Sequence, residues 1–315
     1  MAVNVATNVA MLRRNFLAMM AGTAAVSATG GALSCFAADA ACGNFHLRYG
    51  VTQAGTFDLL DNTARLAQWG FEYCEPSVVK VMSLSDADFD ATRARIAATP
   101  VHVESMNVLL PGDLKVVGPG VDQPKIKAYV ESAFARAGAL DTKIVVFGSG
   151  ASRKVPDGFS RTQAWSQLTD FLRLMGDEID RKNYGFVIGI EALRKEESNI
   201  VNTTAEAYQL SLDAKHPKIK IICDFFHLAS EHEDPKILLR VKAQLVHLHF
   251  ANECNKRYFP RDPTECPDYV PFFANLRAIG YQGRISIEAG TTDFAADAPV
   301  GLATLHRLYA AACGA

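Results

Sequence analysis

The stretch Phe-Val-Ile-Gly-Ile-Glu at residues 186–191 is a short apolar run that ends in a carboxylate. Three later stretches repeat this arrangement. Asp224 follows Ile-Ile-Cys, His249 ends His-Leu-His, and Glu288 follows Ile-Ser-Ile. Short runs rich in β-branched residues are typical of buried strands in a parallel sheet. Segments with helical periodicity separate the runs, so the pattern predicts repeated strand–helix units.

The same alternation extends outward from these stretches over the chain from residue 45. Strands are predicted at His46–Val51, Phe71–Glu75, Val101–Asn107, Lys143–Phe147, Phe186–Ile190, Ile219–Cys223, Leu245–His249 and Arg284–Ile287. Helices are predicted at Phe57–Trp69, Lys125–Leu140, Gln163–Asp180, Ala205–Leu212, Lys236–Lys242, Pro271–Ile279 and Leu302–Ala311.

Eight strands that alternate with helical segments within residues 41–315 fit the size of one (β/α)8 TIM barrel, an α/β fold. A doubly wound open sheet is the competing fold. It normally has a glycine-rich phosphate-binding turn after its first strand, and residues 51–55 lack one. No linker or repeat divides this range, so we predict a single domain.

The bulk composition excludes some classes of partner. The 315 residues are 49% hydrophobic and 21% charged, with a formal net charge of −2. This balance provides no general attraction for a polyanion, so we expect no nucleic-acid partner. The composition is that of an ordinary globular protein with enough apolar residues for a large core.

Residues 1–40 have the pattern of an export signal. Arg13-Arg14-Asn15-Phe16-Leu17 precedes a weakly apolar stretch of small residues, and Ala38-Asp39-Ala40 has the form of a signal-peptidase site. The pattern resembles a twin-arginine signal, which predicts cleavage near Ala40, a periplasmic or otherwise exported product, and the twin-arginine export machinery as a partner. An ordinary secretory signal or an uncleaved anchor is the alternative. We expect no stable membrane anchor in the mature protein, because the apolar stretch is short and rich in glycine.

The cysteines predict no redox or zinc motif. Cys35 would leave with the signal, and the six that remain include no Cys-x-x-Cys pair. Cys74 and Cys223 lie in apolar strand patterns and are predicted to be buried thiols. Cys254 and Cys266 lie in one loop-like segment and could pair in an oxidising compartment.

The four strand-end residues predict a metal site. In a barrel, side chains just past the carboxyl ends of the strands converge on one mouth. Burying three carboxylates there would cost several kcal/mol without compensation, and a divalent cation would supply that compensation. Glu191, Asp224, Glu288 and the imidazole of His249 would leave room for further oxygen ligands on the ion.

These stretches resemble a known family. Residues 190–197, 223–227, 247–253 and 287–289 are similar to the xylose isomerase-like TIM barrel superfamily, in particular its sugar phosphate isomerase/epimerase group, which includes ketose 3-epimerases. The resemblance implies one divalent ion, manganese or alternatively magnesium, cobalt or zinc, with ligands Glu191, Asp224, His249 and Glu288. It implies that Glu191 and Glu288 are also the acid/base pair, and that Glu197, His227 and Arg257 contact substrate oxygens. Two segments depart from the family pattern: the spacing from Asn252 to Arg257 differs from that of the ketose epimerases, and the insert from Arg261 to Cys266 has no match in them.

The predicted activity is a metal-dependent isomerase or epimerase that works through an enediolate. A non-phosphorylated ketose or keto-sugar is the expected substrate, because sugar phosphates are mostly cytoplasmic. The alternatives are a lyase that eliminates a leaving group from 3-keto-glycosides, and a non-catalytic sugar-binding protein with a structural metal. The sequence leaves homo-oligomerisation open.

Three other polar side chains have two interpretations each. His247 is predicted to be a hydrogen-bonded histidine of the barrel interior rather than a ligand. Glu104 would reach the pocket or form an interior ion pair. Arg153, after the Phe-Gly-Ser-Gly stretch at 147–150, would meet an acidic substrate or belong to a structural turn.

Overall fold

The computed structural model of the chain describes residues 42–314, so the predicted signal and its cleavage site lie outside the described residues. Every strand pairing in this range is parallel. The strands are β1 (His46–Thr52), β2 (Tyr73–Glu75), β3 (His102–Val103), β4 (Ser105–Met106), β5 (Ile144–Phe147), β6 (Val187–Ile190), β7 (Ile219–Asp224), β8 (Leu245–Phe250) and β9 (Gln282–Ile287).

The sheet closes on itself. Its order is β3-β2-β1-β9-β8-β7-β6-β5-β4, so strands that are consecutive in sequence lie side by side, except β3 and β4, and β9 returns to pair with β1. The two ends of this order, β3 and β4, are consecutive pieces of one strand that Glu104 separates. The Glu104 carbonyl oxygen still accepts hydrogen bonds from the amides of Lys143 and Ile144, at 2.9 and 3.2 Å.

Helices cover the outside of the sheet, as expected for parallel strands joined by crossovers. They are α1 (Thr63–Trp69), α2 (Val78–Met82), α3 (Asp86–Ala97), α4 (Gln123–Ala139), α5 (Gly150–Arg153), α6 (Arg161–Lys182), α7 (Thr204–Ala214), α8 (Phe225–Ser230), α9 (Ile237–Val241), α10 (Tyr269–Ala278) and α11 (Phe294–Gly314). No helix within residues 42–314 is both long enough and apolar enough to cross a bilayer.

The two faces of the strands serve different layers of the core. In β5, Val145 and Phe147 belong to the large apolar layer between the sheet and the helices. Ile144 and Val146 alternate with them and pack with Ile222 in a separate small cluster. Since successive side chains of a strand point to opposite faces, this cluster lies in the barrel interior.

The predicted TIM barrel is confirmed, with four local corrections. Helices α2 and α3 lie between β2 and β3, where no helix was predicted, and the last helix begins at Phe294 rather than Leu302. The third strand, predicted to run unbroken over 101–107, is interrupted at Glu104. The first helix begins at Thr63 rather than Phe57. The side chains of Gln53 and Asp58 accept hydrogen bonds from the amides of Leu59 and Leu60, at 3.2 and 3.0 Å. Such local bonds offer the backbone an alternative to the helix.

A disulfide joins the beginning and the end of the barrel. Cys42 and Cys313 are bonded across 271 positions of sequence, with Cα atoms 4.9 Å apart, a pairing that the spacing of the cysteines did not indicate. Cys74 and Cys223 are buried free thiols, as predicted. Cys254 and Cys266 are also free thiols, although their sulfurs lie only 2.7 Å apart.

Removing the Cys42–Cys313 bond should destabilise the barrel. The bond restricts the unfolded chain over nearly its whole length, so we expect Cys42→Ser to lower the free energy of unfolding by about 2–4 kcal/mol. Denaturant unfolding of oxidised protein would measure this. The double variant Cys42→Ser/Cys313→Ser is the control, and it should lose no more than the single one. A larger loss in the double variant would mean that the thiols stabilise the fold by packing, not by their bond.

Candidate metal and active site

Four neighbouring strands bring the predicted ligands together. Glu191 follows β6, Asp224 ends β7, His249 lies in β8, and Glu288 follows β9. Each offers a ligand atom, and these atoms all lie within 4.8 Å of one another. Glu191, Asp224 and His249 are buried and Glu288 is partly buried. The convergence expected from their positions at the strand ends is therefore present.

Gly148 makes room for the first of these carboxylates. A Cβ atom built at this position would overlap Glu191 Oε2, so any larger residue would displace the carboxylate. Gly148 belongs to the Phe-Gly-Ser-Gly stretch at 147–150, and it directly follows β5. The role of this glycine is to let a side chain approach closely.

The cluster concentrates negative charge in a buried place. Burial and the neighbouring Glu288 raise the pKa of Glu191. Burial also raises the pKa of Asp224, against the opposing effect of Arg257. Burial alone would raise the pKa of Glu288 too, but His249 and Arg257 hold it well below its usual range. The acids therefore compete for the available positive charge.

His249 bridges the acids to a residue that lies deeper in the barrel. Its Nδ1 lies 3.0 Å from Glu191 Oε1 and 2.9 Å from Glu288 Oε2. Its Nε2 lies 2.9 Å from Glu75 Oε1. Burial disfavours the charged ring, yet Glu288 and Glu75 raise the pKa of His249 well above its usual range.

Glu75 is a residue of the candidate site that was not predicted from the sequence. It ends β2 and is fully buried. Its carboxylate also lies 2.8 Å from His247 Nε2 and accepts a 2.5 Å hydrogen bond from Ser286 Oγ. Burial would raise the pKa of Glu75, but the two histidines hold it well below its usual range. An acid directly after the buried pair Tyr73-Cys74 was the available signal.

The predicted substrate contacts gather on one side of the cluster. Arg257 Nη2 lies 2.6 Å from Glu288 Oε2 and 3.2 Å from Asp224 Oδ2, and Arg257 Nη1 lies 3.5 Å from Glu197 Oε1. His227 Nε2 lies 3.4 Å from Asp224 Oδ2 and 4.0 Å from Glu197 Oε2. That nitrogen is buried and has no hydrogen-bond partner among the described residues. Glu197, His227 and Arg257 therefore lie together beside the acids.

The other polar residues are structural. His247 is the hydrogen-bonded interior histidine that the sequence predicted. Glu104 forms ion pairs, which was one of its two predicted roles. One of its carboxylate oxygens lies 2.6 Å from a guanidinium nitrogen of Arg48, and the other lies 2.6 Å from one of Arg284. Arg153 is fully buried and donates to the carbonyl oxygens of Phe147 and Val201, at 3.2 and 3.3 Å. It stabilises the turn.

The donor set fits a divalent cation. Carboxylate oxygens with one imidazole nitrogen suit manganese, magnesium, cobalt or zinc. His249 is also oriented as metal-binding histidines usually are, with one ring nitrogen towards the acids and the other bonded to a carboxylate. A cation would replace the positive charge that Arg257 and protonated His249 place among the acids.

Comparison with known proteins gives a family and several relatives. The family model described as xylose isomerase-like TIM barrel matches residues 63–307. The 3-dehydro-D-guloside 4-epimerase of Escherichia coli (strain K12) is 33% identical over 124 residues, which cover 38% of this chain and only 44% of that protein. The L-ribulose 3-epimerase of Mesorhizobium japonicum is 24% identical over 247 residues, 77% of this chain and 74% of that protein.

Solved structures show the same fold. A structure of an L-ribulose 3-epimerase has a TM-score of 0.72 and 20% identity, and the match covers 84% of this chain and 95% of that one. The apo form of 3-keto-D-glucoside 4-epimerase from E. coli has a TM-score of 0.70 and 20% identity, over 82% of this chain and 99% of that one. At this level of identity the likeness establishes the barrel fold alone.

Changing Glu75 should weaken metal binding without unfolding the barrel. Glu75→Gln keeps the shape of the side chain but removes the charge that orients His249. We therefore expect affinity for Mn²⁺ to fall by about 10–100-fold. Titration calorimetry on protein stripped with a chelator would measure it, and circular dichroism would check the fold. Glu131→Gln, a partly exposed residue of α4, is the matched control. Unchanged Mn²⁺ affinity in folded Glu75→Gln would show that Glu75 does not orient the ligand.

Proposed function

Because the chain belongs to the xylose isomerase-like TIM barrel family, we propose that it is a metal-dependent sugar epimerase or isomerase. The proposed substrate is a non-phosphorylated ketose or keto-sugar. The observation that carries the proposal is the buried cluster of three carboxylates and one imidazole at adjacent strand ends, within 4.8 Å. Two of its acids, Glu191 and Glu288, follow strands that β7 and β8 separate.

In this proposal Glu191, Asp224, His249 and Glu288 hold one divalent cation, with manganese preferred. When bound, the cation supplies Lewis-acid stabilisation of the negative charge that develops on the substrate oxygens. Asp224 and His249 act as ligands only. Glu75 keeps His249 in the orientation that presents Nδ1 to the acids.

Glu191 and Glu288 would also move the proton. One carboxylate removes the proton from the carbon next to the carbonyl, which leaves an enediolate. The other carboxylate returns a proton to the opposite face of the same carbon, which inverts its configuration. If the proton is returned to the neighbouring carbon instead, the product is an aldose–ketose isomer.

Glu197, His227 and Arg257 would bind the substrate hydroxyls. The buried Nε2 of His227, which has no partner among the described residues, supports this role, because an unbonded buried polar atom is costly. Arg257 lies against Glu288 and Asp224 in this structure. When a bound cation compensates the negative charge of those acids, the Arg257 guanidinium would have to shift from them to a substrate oxygen.

The names of the relatives support a keto-sugar. One relative is named for a 3-dehydro-D-guloside and another for L-ribulose. A relative from Pseudomonas putida, 28% identical over 141 residues, is named 3-dehydroshikimate dehydratase, which keeps elimination as the second candidate. If a leaving group lies β to the carbonyl, the same enediolate would expel it.

We also propose that the mature protein works outside the cytoplasm. The twin-arginine pattern at residues 13–17 motivates this, and the Cys42–Cys313 disulfide supports it, because disulfides persist in oxidising compartments. After cell fractionation, the periplasmic fraction should contain the protein, and its first residue should lie near residue 41. Recovery of uncleaved protein in the cytoplasm would contradict export.

Turnover in deuterated water would test the chemistry. We expect manganese-loaded protein to incorporate deuterium from solvent into ketoses or 3-keto-glycosides. Glu191→Gln and Glu288→Gln should each reduce epimerisation by about 10²–10⁴-fold. Each variant should retain exchange only on the epimer whose C–H bond faces the remaining carboxylate, so the two variants should prefer opposite epimers.

Glu196→Gln is the matched control, since it makes the same change on an exposed residue of the Glu191–Glu197 segment. It should keep wild-type activity. Metal analysis of every variant shows whether activity is lost because the ion is no longer bound or because the carboxylate that moves the proton is absent. Release of an aglycone in place of an epimer would make the enzyme a lyase. No exchange by metal-loaded protein across a broad panel of ketoses and 3-keto-glycosides would overturn the proposal in favour of a binding protein.

A further inference from the structure

The segment that carries Arg257 is held in an unusual backbone conformation. We call residues 252–266 the Arg257 loop. Within it Lys256 and Arg257 have left-handed φ values of 51° and 62°, which cost energy in residues other than glycine. The Arg257 amide donates to the Asn252 carbonyl oxygen at 2.9 Å, and the Arg257 carbonyl oxygen accepts from the amide of Gly290 at 2.7 Å. Such a turn persists only where the surrounding structure fixes it.

The two ends of the Arg257 loop are drawn together by polar contacts. Asn252 Nδ2 donates to Glu265 Oε2 at 2.8 Å, and the amide of Arg261 donates to the same oxygen at 2.9 Å. Arg307 of α11 donates to the Arg261 carbonyl oxygen at 2.9 Å. These contacts bring the segments that carry Cys254 and Cys266 close to each other, and a covalent bond between the sulfurs would add to them.

Cys254 and Cys266 meet within this closed loop. Their sulfurs lie 2.7 Å apart, which is closer to a disulfide bond of about 2.05 Å than to separate thiols in ordinary contact. Cys254 is exposed, so an oxidant can reach it, while Cys266 is buried. The other two free cysteines of the described chain, Cys74 and Cys223, are buried at 0% and 1% exposure and are not available as alternative partners.

Neither cysteine has a stabilised thiolate that would oppose a disulfide bond between them. Burial and contact with the Cys266 thiol raise the pKa of Cys254 to about 12. Burial also raises the pKa of Cys266. A stabilised thiolate is what makes a dithiol resist oxidation, and neither group has one. The Cys42–Cys313 disulfide indicates that the chain already forms one such bond.

We propose that Cys254 and Cys266 form a disulfide that fixes the Arg257 loop and so keeps the backbone turn at Arg257 beside the acid cluster, where the guanidinium can reach a substrate oxygen. Both thiols are oxidised together by the disulfide of a thiol–disulfide exchange partner. One sulfur–sulfur bond forms in the loop while the partner's bond breaks. The two electrons and two protons end on the partner as two thiols. The effect on turnover rests on the proposed function, whereas the bond itself does not.

Peptide mapping tests the bond on the full chain. Protein incubated with glutathione disulfide is unfolded without reductant, alkylated and digested. We expect the peptides of Cys254 and Cys266 to be recovered linked to each other, and those of Cys74 and Cys223 to be alkylated. Alkylation of both loop cysteines after this treatment would overturn the proposal. So would a Zn²⁺ ion retained by Glu253, Cys254 and Cys266 that keeps the thiols reduced.

Trypsin tests whether the bond fixes the loop, because Lys256, Arg257 and Arg261 are its cleavage sites there. Cys254→Ser should be cut in the loop at least about tenfold faster than the oxidised wild type, since cleavage follows the population of the open loop. Glu253→Gln changes the neighbouring residue but keeps both sulfurs, so it should match the wild type. Equal cleavage rates in Cys254→Ser and the oxidised wild type would overturn the fixing role.

Steady-state kinetics of Cys254→Ser distinguish a failure of this proposal from a failure of the proposed function. For a sugar that the wild-type protein converts, Cys254→Ser should raise KM by about tenfold and change kcat less, because substrate binding depends on where Arg257 lies. An unchanged KM with the disulfide mapped would overturn the link between the bond and Arg257. If no sugar is turned over, the proposed function fails, while the mapping and trypsin results still decide whether the bond exists and fixes the loop.

Discussion

The compensation of buried negative charge is the constraint on which the active end of this barrel depends. Glu191, Asp224 and Glu288 converge because parallel strands end at one mouth, and in that position water cannot solvate them fully. Positive charge must therefore come from Arg257, from protonated His249 or from a cation. Glu75 extends the constraint one layer deeper, because it stabilises the histidine that faces the acids. The negative charge of the acids at the mouth is thus balanced by nearby positive charge, and a bound ion would change which groups supply it.

Most of the fold could be predicted, because each strand of a closed parallel barrel is buried on both faces and reads as a short apolar run. Two of the predictions failed next to polar side chains. The strand at 101–107 is interrupted at Glu104, whose carboxylate is engaged by Arg48 and Arg284. The first helix begins later than predicted, and the side chains of Gln53 and Asp58 accept hydrogen bonds from backbone amides in the segment before it. The Glu104 pairs join residues that are distant in sequence, and the bonds of Gln53 and Asp58 are local contacts that hydrophobic periodicity does not encode.

The acid cluster was also predictable, since a strand-end position is visible in sequence. Glu75 also ends a strand, but its role was not predictable, because its contacts with His247 and His249 span 172 and 174 positions and arise only when the barrel closes. The Cys42–Cys313 bond was missed for the same reason. The position of Arg257 follows from the left-handed turn of a loop that departs from the family pattern, and no local motif indicated that turn.

The Cys42–Cys313 disulfide makes residues 42–313 a covalent ring, because the bond joins the segment before β1 to the end of α11. A force applied at the two ends of the chain would therefore pass through the sulfur atoms and would not peel β1 from β9. A single proteolytic cut in a surface loop would open the ring without releasing a fragment. The barrel is also a natural template for circular permutation, since its first and last segments are already neighbours and new ends can be opened at a loop.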